Sequence, residues 1–235
     1  MSASLEIRDL YVGYYHDLHI LRGVHLDARE GAVTAILGAN GTGKSTLLKS
    51  VFGLLRPERG SIRFGGRDLV GVAPHHMVHE GISYIPQDPG VFGHMTVEEN
   101  LVMGAWPYRR DARRIRRKLR ENYERFPVLA EKRRQNAGEL SGGQKRMVEV
   151  GRALMTDPKL LLVDEPSAGL AKLLTEEMYR MLAGLRDEGI ALLLVDQDIR
   201  QALGIADHVY VLDLGRNRFD APAAEITDVE KVFWT

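Results

Sequence analysis

The chain of 235 residues contains no cysteine. That excludes disulfides, cysteine nucleophiles and thiolate metal sites, and it fits a reducing compartment. An excess of charge is missing as well: 32 Lys and Arg balance 32 Asp and Glu, so no global field calls for a nucleic-acid or acidic partner. No apolar run approaches the ~18 residues that cross a bilayer, and the opening MSASLEIRDL lacks the apolar core of a signal peptide. A protein of this kind that serves a membrane is expected to do so from outside the lipid. Hydrophobic residues at 44% and charged residues at 27% are ordinary for a chain with a real core. The length suggests one large domain, or a core domain with a subdomain.

Residues 4–35 alternate loosely between apolar and polar side chains in LEIRDLYV, VHLDAR and AVTAIL, a strand pattern. GYYHDLHIL between them reads as a turn-rich aromatic segment. Helical spacing over 44–55 (KSTLLKSVFGLL) predicts a helix closed by Pro57. SIRFGG and GISYIPQD read as short strands. From Leu140 onward helices at 143–155, 172–187 and 198–205 alternate with strands at 160–163, 190–195 and 208–212, which implies parallel pairing with right-handed crossovers. Residues 96–130 differ. Ala112, Ile115, Leu119, Tyr123 and Phe126 fall on one helical face, surrounded by the arginines of RRDARRIRRKLR. The expected architecture is an α/β core, about 1–95 and 141–235, interrupted by a helical insertion at about 96–140.

GANGTGKST, residues 38–46, fits G-x-x-x-x-G-K-[ST] between a predicted strand and a predicted helix, the context that a phosphate-binding loop requires. Gly38, Gly41 and Gly43 let successive N–H groups turn toward one anion, with Ala39, Asn40, Thr42 and Thr46 completing the loop. The helix N-terminus adds positive potential there. Lys44 is expected on the β- and γ-phosphates and Ser45 on Mg²⁺. LLLVDEP places Asp164 at the carboxyl end of an apolar strand, where open α/β sheets bind ligands. Asp164 is the expected Mg²⁺ partner, and Glu165 the group that polarises a water against the γ-phosphate. ALLLVDQDIR is a second apolar strand with a polar tip, Asp196, Gln197 and Asp198.

LSGGQKR, residues 140–146, resembles the signature of the ATP-binding cassette (ABC) ATPases. The resemblance covers roughly residues 4–220 and implies a P-loop NTPase core with an antiparallel β-subdomain and an inserted helical subdomain. It implies that Ser141, Gly142, Gly143 and Gln144 bind the γ-phosphate held by a second, opposing ATPase subunit. Gln87 matches the glutamine that joins Mg²⁺ and attacking water to the helical subdomain. Tyr15 matches the adenine-stacking aromatic, with neighbouring Tyr14 in its place if the loop shifts register. Gln197 stands where most members have a switch histidine, and Ala171 where most have an aspartate. GANGTGKST, PGVFGHMTVEENL, EPSAGLA and LLVDQD together look like the ATP-binding subunits of branched-chain amino acid importers, most similar to the F-type of their two ATPases.

That likeness implies ATP and Mg²⁺ as ligands and catalytic roles for Lys44, Glu165 and Gln197. It also implies work at the cytoplasmic face of a membrane with permease subunits, a second cassette and, indirectly, a solute-binding protein. The cargo stays open between branched-chain amino acids and urea, amides or aromatic acids. So does a homodimer against a heterodimer. A soluble cassette acting on ribosomes or DNA is the alternative, but such members usually carry two cassettes or a long coiled coil. The Arg-rich stretch 109–120 is read as a solvated helix face rather than a nucleic-acid surface, with permease loops or anionic headgroups as another possible contact. His75, His76 and His79 lack the carboxylates or cysteines of a metal site. Trp106 and Trp234 are read as packing or interface anchors, and AEITDVEKVFWT as a short terminal helix.

Overall fold

The computed structural model describes residues 3–15, 18–88 and 90–226. It has two sheets. Strands β1 (Ala3–Tyr15), β2 (Leu18–Arg29), β4 (Arg59–Phe64) and β5 (Arg67–Asp68) make an antiparallel sheet in the order β2-β1-β4-β5. Strands β3 (Val33–Leu37), β6 (Ile82–Ile85), β7 (Leu160–Asp164), β8 (Ala191–Asp196), β9 (His208–Asp213) and β10 (Arg216–Pro222) make the second, in the order β10-β9-β3-β8-β7-β6. Within it every pairing is parallel except that of β10 with β9. Every residue of β3, β7 and β8 is buried, as a parallel sheet covered on both faces requires.

Alternation along these strands divides the interior into two cores. Leu160, Leu162, Leu193 and Val195 face the antiparallel sheet and helix α1 (Lys44–Val51). Leu161, Val163, Leu192 and Leu194 face the helices on the opposite side. Those helices are α3 (Val97–Gly104), α4 (Ala112–Arg125), α5 (Pro127–Glu131), α6 (Gly142–Leu154), α7 (Lys172–Asp187) and α8 (Ile199–Ile205). A short helix, α2 (Pro74–Met77), precedes β6. Between β6 and β7 the chain forms no strand among the described residues, and α3, α4, α5 and α6 lie in that segment.

Several boundaries depart from the sequence pattern. Strands β1 and β2 extend into the turn-rich segment GYYHDLHIL, with Gly13 opposite His19 and Tyr15 opposite Leu18. Helix α1 stops four residues short of Leu55. The chain enters the left-handed region at Gly53, φ 78°, the conformation that ends helices where no Cβ interferes. Strand β10 carries charges on its exposed positions and no apolar run, so its alternation is faint in sequence. A turn at Leu214 and Gly215, both at positive φ, folds it back on β9. In α4, Leu119 and Tyr123 pack against the helical-side core and Phe126 just beyond is buried, whereas Ala112 is exposed. Trp234 and most of AEITDVEKVFWT lie outside the described residues.

Candidate functional site

The loop between β3 and α1 returns tightly enough that Gly38, at φ 153°, sits where an added Cβ would meet the carbonyl oxygen of Leu212 at 2.4 Å. Only glycine fits there. Asn40, Gly41 and Gly43 from this loop, with Lys44, Ser45 and Thr46 from the first turn of α1, form the floor of a cavity of about 400 Å³. Tyr14 and Ile20 stand on one side; Gln87, Glu165 and Gln197 stand on the other. Thr42 is buried and its hydroxyl donates to the Ala39 carbonyl at 2.9 Å, bracing the loop from within.

Lys44 is buried, and its ammonium donates to the carbonyls of Gly38 (2.8 Å) and Ala39 (2.9 Å). An ammonium has three donors, so one remains for the cavity. Burial lowers its pKa, opposed by the carboxylates of Glu165, Asp164 and Asp196. Ser45 Oγ donates to Asp164 Oδ1 at 2.9 Å, and the Tyr84 hydroxyl holds the other oxygen at 3.1 Å. A hydroxyl and a carboxylate side by side at a phosphate loop are the oxygen donors that a hard cation such as Mg²⁺ takes.

Glu165 has φ 44°. A non-glycine residue there stores about 1–3 kcal/mol, and the surroundings enforce it. Its N–H donates to Val195 O at 2.8 Å, and its carbonyl accepts from Arg146 Nη2 at 3.2 Å. The strained turn projects the carboxylate into the cavity. There Oε2 accepts amide donations from Gln87 (2.8 Å) and Gln197 (3.3 Å). No such donor reaches Oε1 among the described residues, which leaves it for water. Burial raises the pKa of Glu165, with Asp196 and Asp164 adding to the rise and Lys44 opposing it.

Ser141 caps α6 through a capping box with Gln144, the hydroxyl accepting from Gln144 N–H and the amide oxygen from Ser141 N–H. Ser141 and Gly142 are exposed, Gln144 is half-buried and Gly143 is buried; none of the four lines the cavity of its own chain. Tyr15 is 74% exposed and does not line it either; Tyr14 does. Ala171 caps the start of α7 without a side-chain bond.

Two buried groups have a part in the site that the sequence did not assign to them. Arg146 on α6 reaches under the site, donating to the carbonyls of Pro86 (2.6 Å), Asp164 (3.0 Å) and Glu165 and to the Glu149 carboxylate (2.9 Å). It thereby ties together the loop of Gln87, the end of β7 and the start of the helical layer. Asp196 is fully buried. It accepts from the Tyr179 hydroxyl, from Ser167, and from the backbone N–H groups of Gln197 (2.7 Å) and Asp198 (2.9 Å). Burial raises its pKa. The polar tip of ALLLVDQD contains Asp196, whereas no local signal in the sequence marks Arg146.

A larger cavity, about 700 Å³, opens as a groove between α2, β6, α6 and the segment after α3. Phe52, Phe92 and Met103 give it apolar walls, and His75, His76 and His79 stand along one side. No group of three or more histidines, acids or cysteines able to hold a metal occurs among the described residues. Trp106 stands at the rim, 60% exposed.

A phosphate loop opening into a helix, a hydrogen-bonded Ser45–Asp164 pair and a carboxylate aimed across the same cavity define a nucleotide-binding P-loop protein. The family model described as ABC transporter matches residues 21–168, and the chain belongs to that family. It is 41% identical to the high-affinity branched-chain amino acid transport ATP-binding protein BraG of Pseudomonas aeruginosa, over 86% of each chain. It is 38% identical to a probable branched-chain amino acid transport ATP-binding protein of Archaeoglobus fulgidus, over 92% of each. Among solved structures, an ATP-binding cassette of an ABC transporter in its ADP conformation superposes with a TM-score of 0.86 at 30% identity, covering 99% of this chain and 97% of that one.

Proposed function

We propose that the chain is the ATPase of an importer for branched-chain amino acids or related small solutes, working at the cytoplasmic face of a membrane. The observation that carries the reading is the convergence of Lys44, the Ser45–Asp164 pair and the Gln87–Glu165–Gln197 cluster on one cavity. ATP lies with its phosphates on the N–H groups of the loop and the free donor of Lys44, and its adenine against Tyr14 rather than Tyr15. Ser45 and Asp164, with Gln87 nearby, would hold Mg²⁺, which would supply charge neutralisation to the phosphates. Glu165 takes the proton of the attacking water through Oε1 while the two glutamine amides hold the carboxylate. The strained backbone at Glu165 keeps that geometry in place before substrate arrives.

The signature residues Ser141, Gly142, Gly143 and Gln144 stand apart from their own cavity, and so they serve the γ-phosphate of a second cassette. Two cassettes close head to tail with ATP between them, and hydrolysis of the bridging phosphate releases them. The groove between the core and the helical layer receives a cytoplasmic segment of the permease, whose solute-binding protein selects the cargo. Purification of the tagged chain from solubilised membranes tests this. Permease subunits and a solute-binding protein for branched-chain amino acids are the expected companions; ribosomal or DNA partners would overturn it.

A further inference from the structure

Helix α4 is capped by Asp111, whose carboxylate accepts from the Arg114 N–H at 2.9 Å, but its first turns are crowded with cations. No acid occupies the first turn, and Arg113 and Arg114 stand there instead, where the helix dipole disfavours cations. Arg113, Arg116, Arg117 and Arg120 recur at three- and four-residue steps, so like charges are neighbours along one stripe. All four are exposed. Other cations of this region are neutralised: Arg114 pairs with Asp157 at 2.8 Å, Lys118 with Glu121 and Asp157, and Arg125 with Glu188. Arg117 makes only a long contact to Glu121, 3.8 Å. Among the described residues Arg113, Arg116 and Arg120 have no acidic partner, and neither do Arg109 and Arg110 just before the helix.

This concentration occurs in a chain whose formal net charge is zero, so it is local. It ends where Glu121 and Glu124 begin. At its other end stands Trp106, 60% exposed, with the Arg109 guanidinium 4.8 Å from its ring centroid. An exposed indole beside a row of uncompensated arginines matches the interface of an anionic bilayer. There the ring sits at headgroup depth and each cation meets a phosphate. Nucleic acid needs the cations equally, but the stripe faces one side of a single helix, with one aromatic at its end rather than interleaved along it.

We propose that the α4 stripe, with Trp106 as its apolar anchor, is a surface that adsorbs to anionic phospholipid headgroups. Its ligand is the phosphodiester of an acidic lipid, held by Arg109, Arg110, Arg113, Arg116 and Arg120. Trp106 and Arg109 also line the groove given above to the permease, but lipid binding belongs to the lone chain and needs neither nucleotide nor permease, so its test is separate from that of the transport reading.

The test is co-sedimentation of the full chain with 100-nm vesicles of pure phosphatidylcholine or of phosphatidylcholine with about a third phosphatidylglycerol. Partitioning onto the anionic vesicles is expected, with loss in 0.5 M NaCl, where the Debye length falls below ~5 Å. The triple variant R113Q/R116Q/R120Q should lose about fivefold per arginine, about a hundredfold together. Its ATPase rate without vesicles should stay unchanged, which shows that it folds. In Trp234→Phe, whose sole indole is Trp106, emission should shift to the blue on anionic vesicles only. Equal binding to both vesicle types, no binding to either, or a triple variant that binds like the parent would each overturn the proposal. So would displacement from vesicles by an equimolar single-stranded RNA 20-mer, which would assign the stripe to nucleic acid.

Discussion

Replacing Arg146 by methionine isolates what holds the catalytic carboxylate in place. The arginine and its partner Glu149 are nearly dry, with 5% and 1% of their side chains exposed. Methionine keeps much of the volume but takes from the Glu149 carboxylate its paired cation, leaving it among the described residues the Gly90 N–H and the nearby charge of Arg152, and leaves the carbonyls of Pro86, Asp164 and Glu165 without this donor. Removing one partner of a buried pair costs about 3–5 kcal/mol. At about 2–4 °C per kcal/mol for a chain of this size, thermal unfolding should begin about 6–20 °C lower. Function should suffer more than stability, because the lost bonds to Asp164 and Glu165 hold the backbone on both sides of the strained turn. A shift of about 1 Å there costs on the order of a hundredfold in ATPase rate. Adding Glu149→Gln to Arg146→Met removes the stranded charge, and the double variant should recover about 1–3 kcal/mol of the stability loss without recovering the rate. Calorimetry and steady-state hydrolysis at saturating ATP make the comparison. A single variant that melts within about 2 °C of the parent and hydrolyses at its rate would refute this account of Arg146.

Glu165→Gln should retain ATP affinity and lose about 10²–10⁴-fold in rate; full turnover would remove Glu165 from the base role. Because the pKa of Glu165 is raised by burial, its protonated, inactive form persists above the ordinary glutamate range. The parent rate should therefore fall with falling pH through that raised value, and Glu165→Gln should lack this limb. Lys44→Ala should weaken ATP binding about 10–100-fold, the worth of a charge-assisted contact, measured by titration calorimetry. Tyr14→Ala should weaken it about tenfold by loss of stacking, while Tyr15→Ala should leave it unchanged; the reverse result would return the adenine to Tyr15. Gln197→His introduces a group that titrates near neutrality, so it should alter the pH profile of hydrolysis, and an identical profile would reduce Gln197 to a spacer.

The sequence by itself determined what rests on short-range rules. The glycine spacing of GANGTGKST, the apolar runs ahead of Asp164 and Gln197, and the cap at Ser141 depend on backbone sterics and nearest neighbours. These can be read without knowing what the segments pack against. The parallel alternation after Leu140 was legible for the same reason, since strands buried on both faces admit almost no polar residue. Burial partners were not legible, because they are long-range. Tyr14 and Tyr15 are equivalent as sequence, and only the register of the β1–β2 hairpin puts the first on the cavity wall. Arg146 has the local surroundings of a surface residue. Its role exists only because α6 lies across the carboxyl ends of β6 and β7, within reach of three backbone carbonyls there. Likewise the arginines of α4 form one run in the sequence, but tertiary packing decided which of them found an acid and which were left facing outward.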